Sequence, residues 1–213
     1  MGGRGANDTK GMGGGVNPDD IISEKNMISE REGRRDSVDR TLTVLRDIQD
    51  RYGVNVDTVL SELKPGASNV MGYYSPDSDV LGINNDYFNE STMNESYDRC
   101  VKTGYHPGRG DKTGLEAVTA HELGHKLTQE VANRHGLVGI DDAAGRIMKT
   151  AARKLGSKTI EAVRSKISGY AKDSDAESVA EAFADVYCNG NKASSASIAV
   201  VDALDYHMRR KKK

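Results

Sequence analysis

The stretch GLEAVTAHELGHKLTQEV, residues 114–131, has the pattern H-E-x-x-H near its centre. It contains no proline and only Gly124 after its first residue, so it predicts a helix. Because residues four apart lie on one helical face, His121 and His125 point the same way and can bind one Zn²⁺ ion. Glu122 is turned by about 100° around the helix axis, where it can reach a water on that metal without being a ligand. A zinc hydrolase needs this arrangement, since the carboxylate takes the proton of the water.

The predicted helix has an apolar side as well as the side that carries the histidines. Its apolar residues recur at helical spacing or flank the two histidines, and they are Ala120, Leu123, Leu127, Val131, Val118 and Ala132. A helix with both features is expected to be covered by protein on both sides. We therefore expect it to lie at the centre of the fold.

The composition excludes several classes of function. The chain has 213 residues, a net charge of −2, 36% hydrophobic residues and no tryptophan. This charge gives no reason to expect a nucleic-acid partner or a membrane surface, and no apolar run approaches the length of about 20 residues that spans a membrane. The first residues lack the apolar segment of a signal peptide. We expect Cys100 and Cys188 to be free thiols, because they form no closely spaced pair.

The chain is predicted to consist of a tail and one domain. Residues 1–35 are rich in glycine and charge and have few large apolar side chains, so we expect a flexible tail. The domain is predicted over residues 36–213. Its first helix should begin near Asp36 or Ser37 and end before Gly53, with an apolar face made of Val38, Leu42, Leu45, Ile48 and Tyr52.

A β-hairpin is predicted ahead of the histidine-bearing helix. Residues 69–74 and 79–84 are strand-like, and the turn residues of 75–78 join them. Zinc peptidases commonly bind an extended substrate backbone along a strand edge, and residues 80–84 are our candidate edge. A purely structural hairpin is the alternative. Residues 85–114 are predicted to form a polar loop region, in which His106 is a candidate for the rim of a substrate cleft.

Three acidic residues recur at helical spacing farther along the chain. Glu177, Glu181 and Asp185 lie four residues apart within the apolar-patterned run 170–187. Three acids on one stripe repel each other unless a positive charge faces them, and a metal ion on two neutral histidines supplies that charge. One acid would bind the metal, and a neighbour would accept the free ring N–H of a ligating histidine. The alternative is a solvated acidic stripe.

Spacing alone leaves the choice of the ligating acid open. Glu181 followed by Asp185 fits the E-x-x-x-D pattern of thermolysin-like gluzincins, in which Glu181 would be the ligand. A wider pattern, Tyr170 seven residues before Glu177 and then Val-Ala-Glu-Ala-Phe over residues 179–183, closely resembles the zinc-site helix of the lethal-factor type of peptidase from anthrax toxin.

The second resemblance assigns a role to each residue that it matches. It implies that Glu177 is the third zinc ligand, that Tyr170 helps to stabilise the transition state, and that Glu181 lies behind the ligands. The glycine-rich start and the hairpin also resemble small metallopeptidase-like proteins encoded in phage and prophage genomes. Together the two resemblances cover roughly residues 70–190.

We therefore predict a mostly helical α+β domain of zincin type, with a small antiparallel hairpin or sheet beside the H-E-x-x-H helix. The expected activity is zinc-dependent hydrolysis of a peptide or protein substrate, with one Zn²⁺ per chain on His121, His125 and Glu177. Glu122 would be the general base, and Tyr170, together with His106, would hydrogen-bond the developing oxyanion. The expected location is cytoplasmic or virion-associated.

A non-enzymatic phage structural or assembly protein that keeps a structural zinc site is the alternative. A structural zinc site is closed by four protein ligands, whereas a catalytic site keeps one position for water. The sequence offers three good ligands together with Glu122, and this combination favours the enzyme.

Overall fold

The computed structural model describes residues 35–55, 58–60 and 69–209. In this part of the chain the helices, in order, are α1 (Arg35–Tyr52), α2 (Glu90–Lys102), α3 (Gly114–His135), α4 (Ile140–Lys154), α5 (Ile160–Arg164), α6 (Asp175–Asn189) and α7 (Ser195–Arg209). The strands are β1 (Thr58–Leu60), β2 (Gly72–Ser75) and β3 (Val80–Ile83). Short 3₁₀ turns lie at Asn85–Tyr87, Tyr170–Lys172 and Gly190–Lys192.

Helix α3, which carries the H-E-x-x-H pattern, is the centre of the fold. It begins with a capping box in which Thr113 and Glu116 satisfy each other's backbone N–H groups, and it ends at the left-handed Gly136. Every residue from 113 to 124 is buried. The prediction of a helix covered on both sides is confirmed.

Helix α6, which carries the three acids, crosses α3 at very short distance. A Cβ atom on Gly124 would lie 2.7 Å from Cα of Ala180 and 3.2 Å from Cβ of Phe183. The missing side chain at Gly124 therefore lets the two backbones approach. Since Gly124 lies between His121 and His125, the crossing brings the histidines against the acidic helix.

The three strands form one sheet in the order β1-β3-β2. Strands β2 and β3 are antiparallel and form the predicted hairpin, whereas β1 pairs with β3 in parallel. The proposal that residues 80–84 offer a free edge is wrong, because β3 is the middle strand. The parallel partner comes from a segment with mixed sequence signals, and hairpin patterns do not reveal such a non-local pairing. Within the described residues, β2 is the hairpin strand that lies at an edge of the sheet.

The hairpin packs directly on the central helix. A Cβ atom on Gly72 of β2 would lie 2.9 Å from the Val118 side chain and 3.3 Å from Cγ of Glu122, so glycine allows this close approach. Lys126, the residue after the second histidine, binds both carboxylate oxygens of Asp79 in the hairpin turn at 2.7 Å. The sheet is thereby attached to the helix on both sides of the histidine pair.

The expected polar loop over residues 85–114 is wrong for its first half, which contains α2. Asn89 caps this helix by accepting a hydrogen bond from the Thr92 backbone N–H. Met93 and Tyr97, four residues apart, are buried against the core, although most of the other side chains of α2 are polar. Two buried residues on an otherwise polar helix give only a weak periodic signal, which does not distinguish the helix from a polar loop.

The remaining elements agree with the mostly helical α+β class. Helix α1 ends before Gly53, whose φ of 65° suits a position that follows a helix. The predicted tail up to residue 34, most of the segment 56–68 and the basic end 210–213 lie outside the described residues. Both cysteines are free thiols, as predicted. Within the described chain, no helix is both long and apolar enough to span a bilayer.

Candidate metal centre

The two histidines and Glu122 of the motif lie together at the middle of α3. One potential ligand atom from each of His121, Glu122 and His125 lies within 4.8 Å of the others. The two imidazole rings meet edge to face, with centroids 5.0 Å apart. His121 and Glu122 are buried, and His125 is partly buried. This group could hold a metal ion.

Glu177 faces both histidines from the first turn of α6. Its Oε2 atom lies 3.2 Å from Nε2 of His121 and 3.4 Å from Nε2 of His125. The atom is buried, and no hydrogen-bond donor among the described residues is aligned on it. The position of the turn is set by Ser174, which caps the helix by accepting a hydrogen bond from the Glu177 backbone N–H. A buried carboxylate oxygen therefore points at the histidine pair without a protein donor.

Glu181 lies one helical turn farther along α6 and contacts the other side of His121. Its Oε1 atom is 2.9 Å from Nδ1 of His121, although the N–H bond of that nitrogen is not aligned on it. Its Oε2 atom accepts a hydrogen bond from the Ser168 hydroxyl at 2.7 Å. Burial alone would raise the pKa of Glu181, but His106 and His121 lower it to about 2. Glu181 is thus an ionised carboxylate on the Nδ1 side of the His121 ring.

His106 also contacts Glu181, and its side chain is only 12% exposed. Its Nδ1 atom lies 2.9 Å from Oε1 of Glu181, and its ring stacks on Tyr97 at 5.2 Å. A hydrogen bond to His106 lowers the pKa of the Cys100 thiol. Burial would lower the pKa of His106, but Glu181 and Cys100 raise it to about 9. The His106 ring is therefore held by contacts inside the protein.

Tyr170 lies beside the histidine pair on a 3₁₀ turn. Its ring stacks on His121 with centroids 5.7 Å apart and on Tyr105 with centroids 5.1 Å apart. Two backbone hydrogen bonds join the loops that carry these tyrosines, from the N–H groups of Gly169 and Tyr170 to the carbonyls of Gly104 and Tyr105. Burial and the nearby Glu177 raise the pKa of Tyr170, so its hydroxyl stays protonated.

The ionisable groups of this cluster shift one another's pKa values. Burial raises the pKa of Glu122, while the two histidines oppose this shift. Burial would also raise the pKa of Glu177, but the nearby His121 and His125 bring it well below its usual range. Burial would lower the pKa of His121, yet Glu177 and Glu181 raise it. The carboxylates of this cluster therefore favour a positive charge beside them, on or next to the histidines.

Asp185 is not part of this cluster. Its Oδ1 atom accepts a hydrogen bond from the Asn189 side chain at 2.8 Å, and its Oδ2 atom accepts one from the Ser194 backbone N–H at 3.0 Å. The first contact lies within α6, and the second connects α6 to the residue that precedes α7. The structure brings together Glu177 and Glu181 with the histidines, whereas Asp185 has a separate role.

Several residues of the site could not be found from the sequence. Ser168, Tyr97 and Tyr105 contact the candidate residues from other loops and helices, and no motif marks them. The only available signal was the position of Tyr105 directly before His106, in a loop that precedes the motif helix.

No family model, no curated protein and no solved structure matches this chain.

Proposed function

We propose that this protein is a zinc-dependent metallopeptidase of the gluzincin type, with His121, His125 and Glu177 as the zinc ligands. The observation that carries the proposal is the position of Glu177 Oε2, 3.2 and 3.4 Å from the two imidazole nitrogens. Two ligand atoms at about 2.0–2.1 Å from a tetrahedral zinc ion lie about 3.3 Å apart. The unpartnered Oε2 atom thus lies at this spacing from each of the two nitrogens.

Glu181 is less suited to the role of ligand. Ser168 and His106 engage its two oxygens, and the carboxylate faces Nδ1 of His121 rather than the Nε2 atom that lies near Glu177. A carboxylate in this place fixes the ring orientation of a ligating histidine and makes it a better ligand. We therefore favour Glu177 over Glu181 as the third ligand.

Glu122 is the proposed general base. A bound zinc ion would polarise a substrate carbonyl and lower the pKa of a coordinated water. Glu122 follows a ligating histidine and is buried, and burial raises the pKa of its carboxyl group. A carboxylate with a raised pKa holds a proton better, so Glu122 can accept one from water and pass it to the leaving amine.

Tyr170 is the proposed donor to the oxyanion. Its phenol is protonated, its ring stacks on both His121 and Tyr105, and its environment includes the Glu177 carboxylate. A donor that is already oriented stabilises developing negative charge without reorganisation. The substrate backbone is proposed to pair with β2, an outer strand of the sheet, because Gly72 brings that strand against Glu122.

The test is cleavage of an unbiased peptide library by the zinc-loaded protein, with the products identified by mass spectrometry. The parent should cleave peptides, and Glu122→Gln should keep its zinc but lose activity by about 10²- to 10⁴-fold, because an amide cannot accept the proton. Glu130→Gln is the matched control, since this glutamate lies on the same helix in an exposed pair with Arg134.

Two outcomes would contradict the proposal. If Glu122→Gln cleaves peptides as fast as the parent, then Glu122 is not the base. If the zinc-loaded parent cleaves no peptide while zinc raises its stability, the alternative of a structural zinc site in a non-enzymatic protein is favoured.

A further inference from the structure

The His106 ring is held in place by aromatic neighbours close to the histidine pair. Its ring stacks almost parallel on Tyr97, at an interplanar angle of 6°, and meets the ring edges of Tyr105 and Tyr170. Tyr97 itself is buried. Three aromatic neighbours therefore leave the imidazole little freedom to rotate, and its Nδ1 atom stays directed at Oε1 of Glu181, 2.9 Å away.

The Glu181 carboxylate is held at both oxygens. A carboxylate oxygen accepts the N–H bond of an imidazole nitrogen, so we assign Nδ1 of His106, 2.9 Å away, as the donor to Oε1. The Ser168 hydroxyl donates to Oε2, and the Ser168 oxygen in turn accepts the backbone N–H of Ala171. The plane of the carboxylate is thus defined by two donors from two different loops.

The same Oε1 atom also faces the proposed ligand. It lies 2.9 Å from Nδ1 of His121 as well as from Nδ1 of His106, so two imidazoles meet at one oxygen. With the His106 donor in place, Glu181 cannot turn toward the ion as a competing ligand. Without that donor, only the Ser168 hydroxyl would hold the carboxylate, which could then rotate about this single contact.

We propose that His106 is a positioning residue, which holds Glu181 in the orientation that presents His121 to the metal. This inference rests on the proposed function, because it takes His121 as a ligand. It replaces the expected role in a substrate cleft. Loss of the donor should weaken zinc binding by about 3- to 10-fold, less than the roughly 10- to 100-fold expected for loss of the Glu181 carboxylate itself.

The test compares two amides that place their donors differently. In His106→Asn the side-chain nitrogen can occupy the place of Nδ1 and donate to Glu181, whereas in His106→Gln the longer side chain puts the nitrogen near the place of Nε2. Zinc affinity is measured by competition with a chelator, and the absorption spectrum of the Co²⁺ form reports the geometry of the ligands. The proposal predicts parent-like values for His106→Asn, and weaker zinc binding with an altered Co²⁺ spectrum for His106→Gln.

His106→Leu and His135→Leu complete the design. His106→Leu removes the donor altogether and should resemble His106→Gln. His135→Leu removes a partly buried histidine ten residues beyond His125, whose ring nitrogen meets the His207 carbonyl, and it should bind zinc like the parent. A purely structural role of His106 would lower the melting temperature of the metal-free variants without changing the Co²⁺ spectrum.

The possible failures are distinguishable. If the parent binds no zinc, the proposed metal site fails, and this inference fails with it. If the parent binds zinc and His106→Gln binds it as tightly as His106→Asn with the same Co²⁺ spectrum, only the positioning role of His106 is overturned.

Discussion

At the scale of single residues, two glutamates one helical turn apart have different environments. Glu177 has a buried oxygen without an aligned donor, opposite the Nε2 atoms of both histidines. Glu181 has donors at both oxygens and lies behind His121. The sequence pattern left the choice between them open, because spacing reports which acids share a helix face and not which donors meet them.

Tyr170→Phe should lower kcat by about 10²- to 10³-fold, because it removes one hydrogen bond to the oxyanion. KM and zinc content should change little, since the interaction is made mainly in the transition state. Steady-state kinetics on a peptide found in the library assay give both constants. Tyr206→Phe, at an exposed position, is the control. An unchanged kcat in Tyr170→Phe would exclude the phenol from the reaction.

At the scale of elements, the crossing of α3 and α6 assembles the site. The two helices supply the histidines, Glu122, Glu177 and Glu181, and Gly124 lies at their point of closest approach. The sequence predicted each helix and its charged face. It did not predict the crossing, because the close contact at Gly124 depends on Ala180 and Phe183 from a distant part of the chain.

Gly124→Ala should destabilise the fold by about 1–3 kcal/mol, because the added methyl group would overlap Ala180. This is opposite to the gain of about 1 kcal/mol that alanine brings to a helix interior. Gly145→Ala in α4 is the matched control, since its methyl group would meet only Asp175 at an ordinary 3.6 Å. Denaturant unfolding measures both. A Gly124→Ala variant as stable as Gly145→Ala would show that the crossing is not tight.

The sheet and α2 include features that local sequence patterns could not predict. The hairpin was predictable, since turn residues separate two strand-like runs. The middle position of β3 was not, because it depends on β1, which pairs in parallel from a remote segment. Helix α2 was missed because only Met93 and Tyr97 mark its buried face near the middle of a polar sequence. Local patterns therefore predicted the local pairing and failed at the contacts that depend on tertiary structure.

At the scale of the whole molecule, the candidate metal centre and the hydrophobic core share the same helices. Buried residues of α3 and α6, such as Leu123, Leu127, Val179 and Phe183, belong to one core cluster with residues of the other main helices. The acids and histidines are buried beside it. An ion that binds this folded arrangement and not the unfolded chain must add to the stability of the fold.

Zinc should therefore raise the melting temperature. At a free zinc concentration of about 100 times the Kd, the added free energy of unfolding is about 2.7 kcal/mol. For a domain of this size the gain corresponds to an increase of about 5–10 °C. Thermal unfolding with and without Zn²⁺ measures it, with Mg²⁺ as the control ion. Equal melting temperatures would argue against a folded zinc site.

The candidate site was more predictable than its supporting contacts. The motif identified His121, Glu122 and His125, and the resemblance to a peptidase helix indicated Tyr170 and Glu177, which the structure places next to them. The interpretation of His106 differed, because a loop histidine carries no signal for what its ring contacts. Its position on Glu181 depends on two chain segments, 75 residues apart, that meet only in the folded protein.

The central claim is that His121, His125 and Glu177 hold one zinc ion. The most direct measurement is the zinc content and chelator-competed zinc affinity of the parent, Glu177→Ala, Glu181→Ala and Asp185→Ala. The account predicts about one zinc per parent chain, near-complete loss in Glu177→Ala, and affinity about 10- to 100-fold weaker in Glu181→Ala. Asp185→Ala should bind like the parent. Parent-like zinc binding by Glu177→Ala, or tighter binding than by Glu181→Ala, would contradict the account.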